Sequence, residues 1–264
     1  MTAGLQNIVA LLESELGSSG IPDYPNALNG LQLENRSGEI SRVITAVDAS
    51  LPVLRKAAAH AGETGASHRD GGTLLLVHHG LFWQGLQAHT GAAYEKLRLA
   101  HEADLAIYSS HIPLDVHPSH GNNACLARAI GLENPAPFFA WKGIDLGLAG
   151  AFSGGVKDLR ERLARAVNGD VHLCPGGKSD AVGKVGIITG GAGSEVAAVA
   201  EAGIETFITG EGPHWSFPLA EELGINVLYA GHYATETFGV RALGSELEKR
   251  LSLEHHFIDH PTGL

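Results

Sequence analysis

The run Thr73-Leu74-Leu75-Leu76-Val77-His78-His79-Gly80 constrains the fold of this chain more than any other. Its apolar residues do not alternate with polar ones. A strand built from them needs cover on both faces, as in a sheet sandwiched between helices. Polar groups at the C-terminal end of such a strand stand at the sheet edge where open α/β folds bind ligands. Here those groups are two imidazoles, the commonest metal-ligating side chains and largely neutral at pH 7. Two solvated loop histidines would give the same string, so the stretch has to be weighed with others.

Asn226-Val227-Leu228-Tyr229-Ala230-Gly231-His232 repeats the pattern, an apolar strand running into a histidine. His232 and Glu236 are four residues apart, which puts both on one face at the mouth of a helix. Asp115, in Ser110-His111-Ile112-Pro113-Leu114-Asp115, follows the strand-like Asp104–Tyr108. Three strand ends therefore offer His78, His79, His232, Asp115 and Glu236.

The chain has 264 residues, 44% of them hydrophobic and 18% charged, enough for two compact units or one large α/β domain. A formal charge of −11 argues against general nucleic-acid binding, which needs basic surface for phosphates, and suits a site that attracts divalent cations. Cys125 and Cys174 form no CxxC pair, so neither a zinc ribbon nor a redox dithiol is expected. The start lacks a basic, then apolar, leader, and no apolar run approaches the roughly 20 residues of a membrane span. A cytoplasmic protein is expected.

Helical spacing at Leu5, Ile8, Leu12 and Leu16 stops at Gly17, and a helix over 122–130 closes at Gly131. Strands are expected at 42–47, 73–79, 104–109, 146–153, 184–189, 205–209, 226–230 and 257–259. Helices are expected at 50–61, 90–103, 156–166, 193–202, 219–223 and 233–251, and residues 62–72 read as a polar loop. The alternation predicts α/β architecture with two similar lobes and mostly buried mixed sheets. Pro135 and Pro137 mark the boundary, giving lobes over 1–134 and 135–264, with the C-terminal segment packing back on the first. Arg42–Val47 and Lys184–Thr189 open a weak repeat, with one extra strand (205–209) before His232. The repeat puts a metal site in a cleft between lobes.

Imidazole and carboxylate without thiolate suit zinc, manganese, ferrous iron, cobalt or nickel. Five ligands are too many for one open catalytic zinc and natural for two ions that lower the pKa of a bridging water. One objection concerns the strand. Successive side chains point to opposite faces, so His78 and His79 converge only if the strand ends at His78 and Gly80 lets the chain turn.

Other residues carry weaker signals. Glu211 and His214, after the strand at 205–209, are candidate acid/base groups or simply the start of a helix at Pro213. His111 either orients Asp115 or is a loop residue. Asn122 and Asn123 read as helix caps rather than ligands. Gly190 to Gly193 form a glycine turn that matches no phosphate-binding motif, although its backbone could meet a phosphate. Phe82 and Trp83 are wall, core or a stacking platform. His255, His256 and His260 have no evident partner.

These segments together resemble the NGG-interacting-factor-three family of dinuclear-metal proteins, whose bacterial members often carry the name GTP cyclohydrolase type two. The matching stretches are Asn29–Gln32, Val77–Trp83, His111–Asp115, Gly121–Ala124, Ile208–Glu211, Gly231–Glu236 and Phe257–Leu264. They run in family order over nearly the whole chain. The resemblance implies a two-lobed subunit in a toroidal homohexamer. It also implies two metal ions held by His78, His79, Asp115, His232 and Glu236, with Glu236 as the bridge.

The expected function is a dinuclear metal-dependent hydrolase of a small cytosolic substrate. That substrate could be a nucleotide, as in ring opening of GTP by a metal-bridging hydroxide. The alternative is a metal-binding hexameric regulatory or partner-binding protein without catalysis.

Overall fold

A computed structural model describes residues 1–63, 71–176 and 180–264. In chain order the first elements are β1 (Ala3–Gly4), α1 (Leu5–Leu16), β2 (Gly30–Leu33), β3 (Glu39–Asp48), α2 (Leu51–Glu63), β4 (Gly72–His79), α3 (Gly91–Glu102), β5 (Leu105–Ser109), α4 (Ile112–Asp115) and α5 (Asn122–Ile130). Then come β6 (Glu133–Trp141), β7 (Ile144–Ala151), α6 (Val156–Val167), β8 (His172–Pro175), β9 (Val185–Ile187), α7 (Val196–Glu201), β10 (Thr206–Thr209), α8 (Ser216–Leu223), β11 (Asn226–Tyr229), α9 (His232–Leu251) and β12 (Glu254–Phe257). The loop expected at 62–72 falls mainly on residues 64–70, outside the described ones. Among the described residues, no helix is long and apolar enough to cross a membrane.

The chain divides into two compact units, Met1–Leu114 with Val240–His260, and Asp115–Gly239 with Pro261–Leu264. This differs from a single cut at residue 134. Asp115 falls in the second unit, and most of α9 in the first.

The first unit carries a mixed sheet of order β1-β3-β4-β5-β2, with β12 also on β3. β3, β4 and β5 are parallel, and β4 lies between the other two. All eight β4 residues are buried. Leu74 and Leu76 pack with Leu12, Tyr108 and Leu243 on one face. Leu75 and Val77 pack with Leu54, Ala57 and Ile107 on the other. The unbroken apolar run is thus explained by cover on both sides, from α1 and α9 on one face and α2 and α3 on the other. β12 pairs with Arg42–Thr45, beyond the Glu39–Ile40 stretch that β1 occupies. The final strand therefore precedes the expected 257–259 and adds to the first unit.

The second unit carries a mixed sheet of order β6-β7-β9-β10-β11-β8, in which β9, β10 and β11 are parallel. Each unit therefore has three consecutive parallel strands (β3, β4, β5 and β9, β10, β11), to which β12 adds a fourth parallel strand in the first unit; the remaining neighbours are antiparallel. The strand at β10 is not extra: it is the counterpart of β4, and β11 is the counterpart of β5. β6 escaped the sequence reading because Pro135 and Pro137 look like breakers. It is an edge strand, where a missing N–H costs no ladder bond.

Candidate metal centre

In the first unit, the C-terminal edge of the sheet gathers three imidazoles. β5 pairs with β4 only as far as Ser109 opposite Val77, so His78 and His79 extend past the neighbouring strand on that side. Both remain within β4, as a strand over 73–79 requires, so the rings converge without the strand ending at His78. Successive strand residues start on opposite faces, yet the two ring centroids lie 4.9 Å apart, past the point where β5 stops pairing with β4. His111 joins them, 4.9 Å from His78 and 5.6 Å from His79. One ligand nitrogen from each of the three lies within 4.8 Å of the others, close enough to hold a metal ion. Gly80 matters for space rather than for a special dihedral. A Cβ there would meet the Gln32 amide at 2.2 Å, and that amide accepts from Leu81 N at 2.7 Å.

Each ring is oriented through Nδ1. His78 Nδ1 lies 2.8 Å from Ser110 O, His79 Nδ1 2.9 Å from Asp48 Oδ1, and His111 Nδ1 2.8 Å from Asp23 Oδ1. Carbonyls and ionised carboxylates only accept, so each Nδ1 donates and carries the proton. The nitrogen lone pair is then at Nε2, the state a metal-binding histidine needs. Asp23 is held in turn by Asn29 Nδ2 and by the backbone N–H groups of Tyr24 and Ile112. Burial raises its pKa, but the bond and charge of His111, with the Asn29 and Tyr24 bonds, leave it below the ordinary carboxylate value. Trp83 packs against His79 and His111, with centroids at 4.8 and 4.5 Å.

In the second unit the carboxylates are held as firmly. Asp115 Oδ1 accepts from Asn122 Nδ2 at 2.7 Å and from Thr189 Oγ1 at 3.4 Å. Asn122 Oδ1 accepts in turn from Gly239 N, in α9, at 2.6 Å. Asn123 donates to Asp115 O and Leu146 O and accepts from Thr189 N. These asparagines are not caps: Gly121 is the N-cap of α5, and both amides are buried. Two adjacent asparagines opening a helix, where neither favours helix, were the missed signal.

α9 places His232 and Glu236 one turn apart. His232 Nε2 lies 3.1 Å from Glu236 Oε1, and its Nδ1 lies 2.9 Å from Glu211 Oε1. Burial alone would lower the imidazole pKa, but Glu236 and then Glu211 outweigh it and raise it to about 9. Gly190 explains the glycine turn. It has φ +72°, and a Cβ there would fall 2.3 Å from Glu236 Oε1. The turn therefore makes room for a carboxylate of the chain itself. His214 is exposed, and its backbone carbonyl accepts from Phe217 N at 3.2 Å.

Two mixed α/β units, with histidines and carboxylate partners at strand ends that could hold a metal ion, define the class: an α/β protein with a candidate metal centre. The chain belongs to the DUF34/NIF3 (NGG1p interacting factor 3) family, whose profile matches residues 4–263. It is 41% identical over 263 residues to a GTP cyclohydrolase 1 type 2 homolog of Deinococcus radiodurans, covering 99% of this chain and 95% of that one. It is 35% identical to the Archaeoglobus fulgidus protein of the same name, covering 98% and 99%. Among solved structures it is similar to TTHA1606 from Thermus thermophilus (TM-score 0.83, 33% identity, 99% and 100% covered). It is also similar to reduced HcgD from Methanocaldococcus jannaschii (TM-score 0.83, 28% identity, 98% and 99% covered).

Proposed function

We propose that the chain is a dinuclear metal-dependent hydrolase of a small substrate, in the manner of the GTP cyclohydrolase naming of its relatives. His78, His79, Asp115, His232 and Glu236 would hold two divalent ions. The observation that carries this reading is the orientation of the imidazoles. Nδ1 of His79 and of His232 meets a carboxylate, and Nδ1 of His78 meets a carbonyl. Such partners fix ring, tautomer and basicity for metal binding. The donor set of imidazole and carboxylate suits zinc, manganese or ferrous iron. When bound, two such ions supply an activated water at neutral pH and neutralise charge that develops on the substrate.

The chain's own groups have separable tasks. Asp48 and Ser110 keep protons on the Nδ1 atoms of His79 and His78. Asn122 and Thr189 fix the carboxylate of Asp115. Glu211 orients His232, and His214 is the remaining candidate for proton transfer. The test is guanine-nucleotide ring opening, run with GTP and with GMP and followed by the loss of the guanine ultraviolet band, in metal-loaded parent and Glu236→Ala protein. Turnover in the parent that disappears in the variant supports the reading. Full turnover in Glu236→Ala contradicts it.

A further inference from the structure

A cavity of about 260 Å³ lies within the first unit, lined among others by Asp48, His79, Trp83, Lys96 and Leu97. It reaches one of the clustered imidazoles from the side. Trp83 forms a flat wall, 36% exposed, and its ring already packs on His79 and His111. Lys96 of α3 is half-buried in the same lining and makes no hydrogen bond or ion pair with a described residue. Burial lowers its pKa, with the charge of Asp48 acting against that shift. A carboxylate is close by, but Asp48 is already bonded to His79 Nδ1.

An ammonium that is half-desolvated without a bonded partner favours an incoming anion. A charge-assisted hydrogen bond is stronger than a neutral one. An exposed indole face favours a flat ring. Among the described residues, Lys96 is the single lysine or arginine of the lining. Three or more phosphate charges would meet only one protein cation there, whereas one acid group is matched.

We propose that this cavity binds a planar heterocycle carrying a single acid group, phosphate or carboxylate, with the ring on Trp83 and the acid on Lys96. The inference rests on the proposed hydrolase reading only in taking this occupant as the substrate. Lys96 is then a specificity-determining residue, selecting monoacid heterocycles over neutral ones. It also selects them over triphosphates.

The test is calorimetric titration of the full chain with two matched pairs, GMP against guanosine and orotate against uracil, with GTP as a fifth probe. Parent, Lys96→Met, Lys96→Arg and the remote control Lys157→Met are compared, and metal content is measured on each. The parent should bind at least one acid probe about ten- to hundredfold tighter than its neutral partner, the range of one charge-assisted bond. The pair that shows the preference tells phosphate from carboxylate. Lys96→Met should abolish it without changing metal content, while Lys96→Arg and Lys157→Met should keep it. A preference that persists in Lys96→Met overturns the proposal. So does a parent that binds acids and neutral partners alike, or that binds GTP at least tenfold tighter than GMP. Loss of metal with the Lys96-dependent preference intact would remove the hydrolase reading and leave this site standing. Bound metal without the preference would do the reverse.

Discussion

Asp48 and His79 are the last ladder partners of the parallel strands β3 and β4, and their side chains meet at 2.9 Å. Register alone therefore supplies the carboxylate that orients a candidate metal ligand. Changing Asp48→Ala removes that orientation without touching His79. A fall of about 10–100-fold in metal affinity is expected, the usual effect of losing such a partner. Competition against a chelator dye measures it. Unchanged affinity would show that His79 needs no partner.

That pair also shows what the sequence could and could not disclose. β4 was legible because an apolar run bounded by glycine admits few structures, and His232 with Glu236 because helical spacing is local. Asp48 is 31 residues from His79, and Asp23 is 88 residues from His111. Such partners are set by strand order and loop path, which residue pattern does not encode. β6 was hidden by its prolines, and Asn122 and Asn123 by their resemblance to caps. Strand ends, helical spacing and the family resemblance pointed to the same candidate ligands; none of them pointed to the groups that orient those side chains.

Asn122 is the second test. It is fully buried, donates to Asp115 and accepts from Gly239 N. Asn122→Leu keeps the volume, removes the acceptor of Gly239 N and leaves Asp115 Oδ1 only the longer bond from Thr189. The expected loss is about 1–3 kcal/mol of stability, from buried polar groups that lose a partner. Urea unfolding of metal-free protein checks this, and a loss below about 1 kcal/mol would mean that solvent reaches the site.

Gly190→Ala probes the turn against α9. The residue has φ +72°, and an ideally placed methyl would sit 2.3 Å from Glu236 Oε1. Left-handed backbone costs an alanine roughly 1–2 kcal/mol, and the carboxylate must also move. Reduced stability together with reduced metal content is expected. Wild-type metal content in this variant would separate Glu236 from the site.

His232 gives the pH dependence. Its folded pKa is raised from 6.5 to about 9, so in metal-free protein it is protonated at pH 7. A proton on a group with a raised pKa stabilises the folded chain. That contribution is complete below about pH 6.5 and is lost as pH rises through about 9. Metal must displace the same proton. Uptake at pH 7 should release about one proton from this residue, and affinity should rise with pH up to about 9. Calorimetry in buffers of different ionisation enthalpy measures the release. Equal release in parent and His232→Ala would contradict the assignment.

The central claim is that the chain holds a pair of metal ions, and metal content per subunit tests it most directly. Protein purified without chelator or nickel affinity should carry about two divalent ions, and Glu236→Ala should carry fewer. No bound metal in the parent, even after zinc, manganese or ferrous iron is added, would contradict the account.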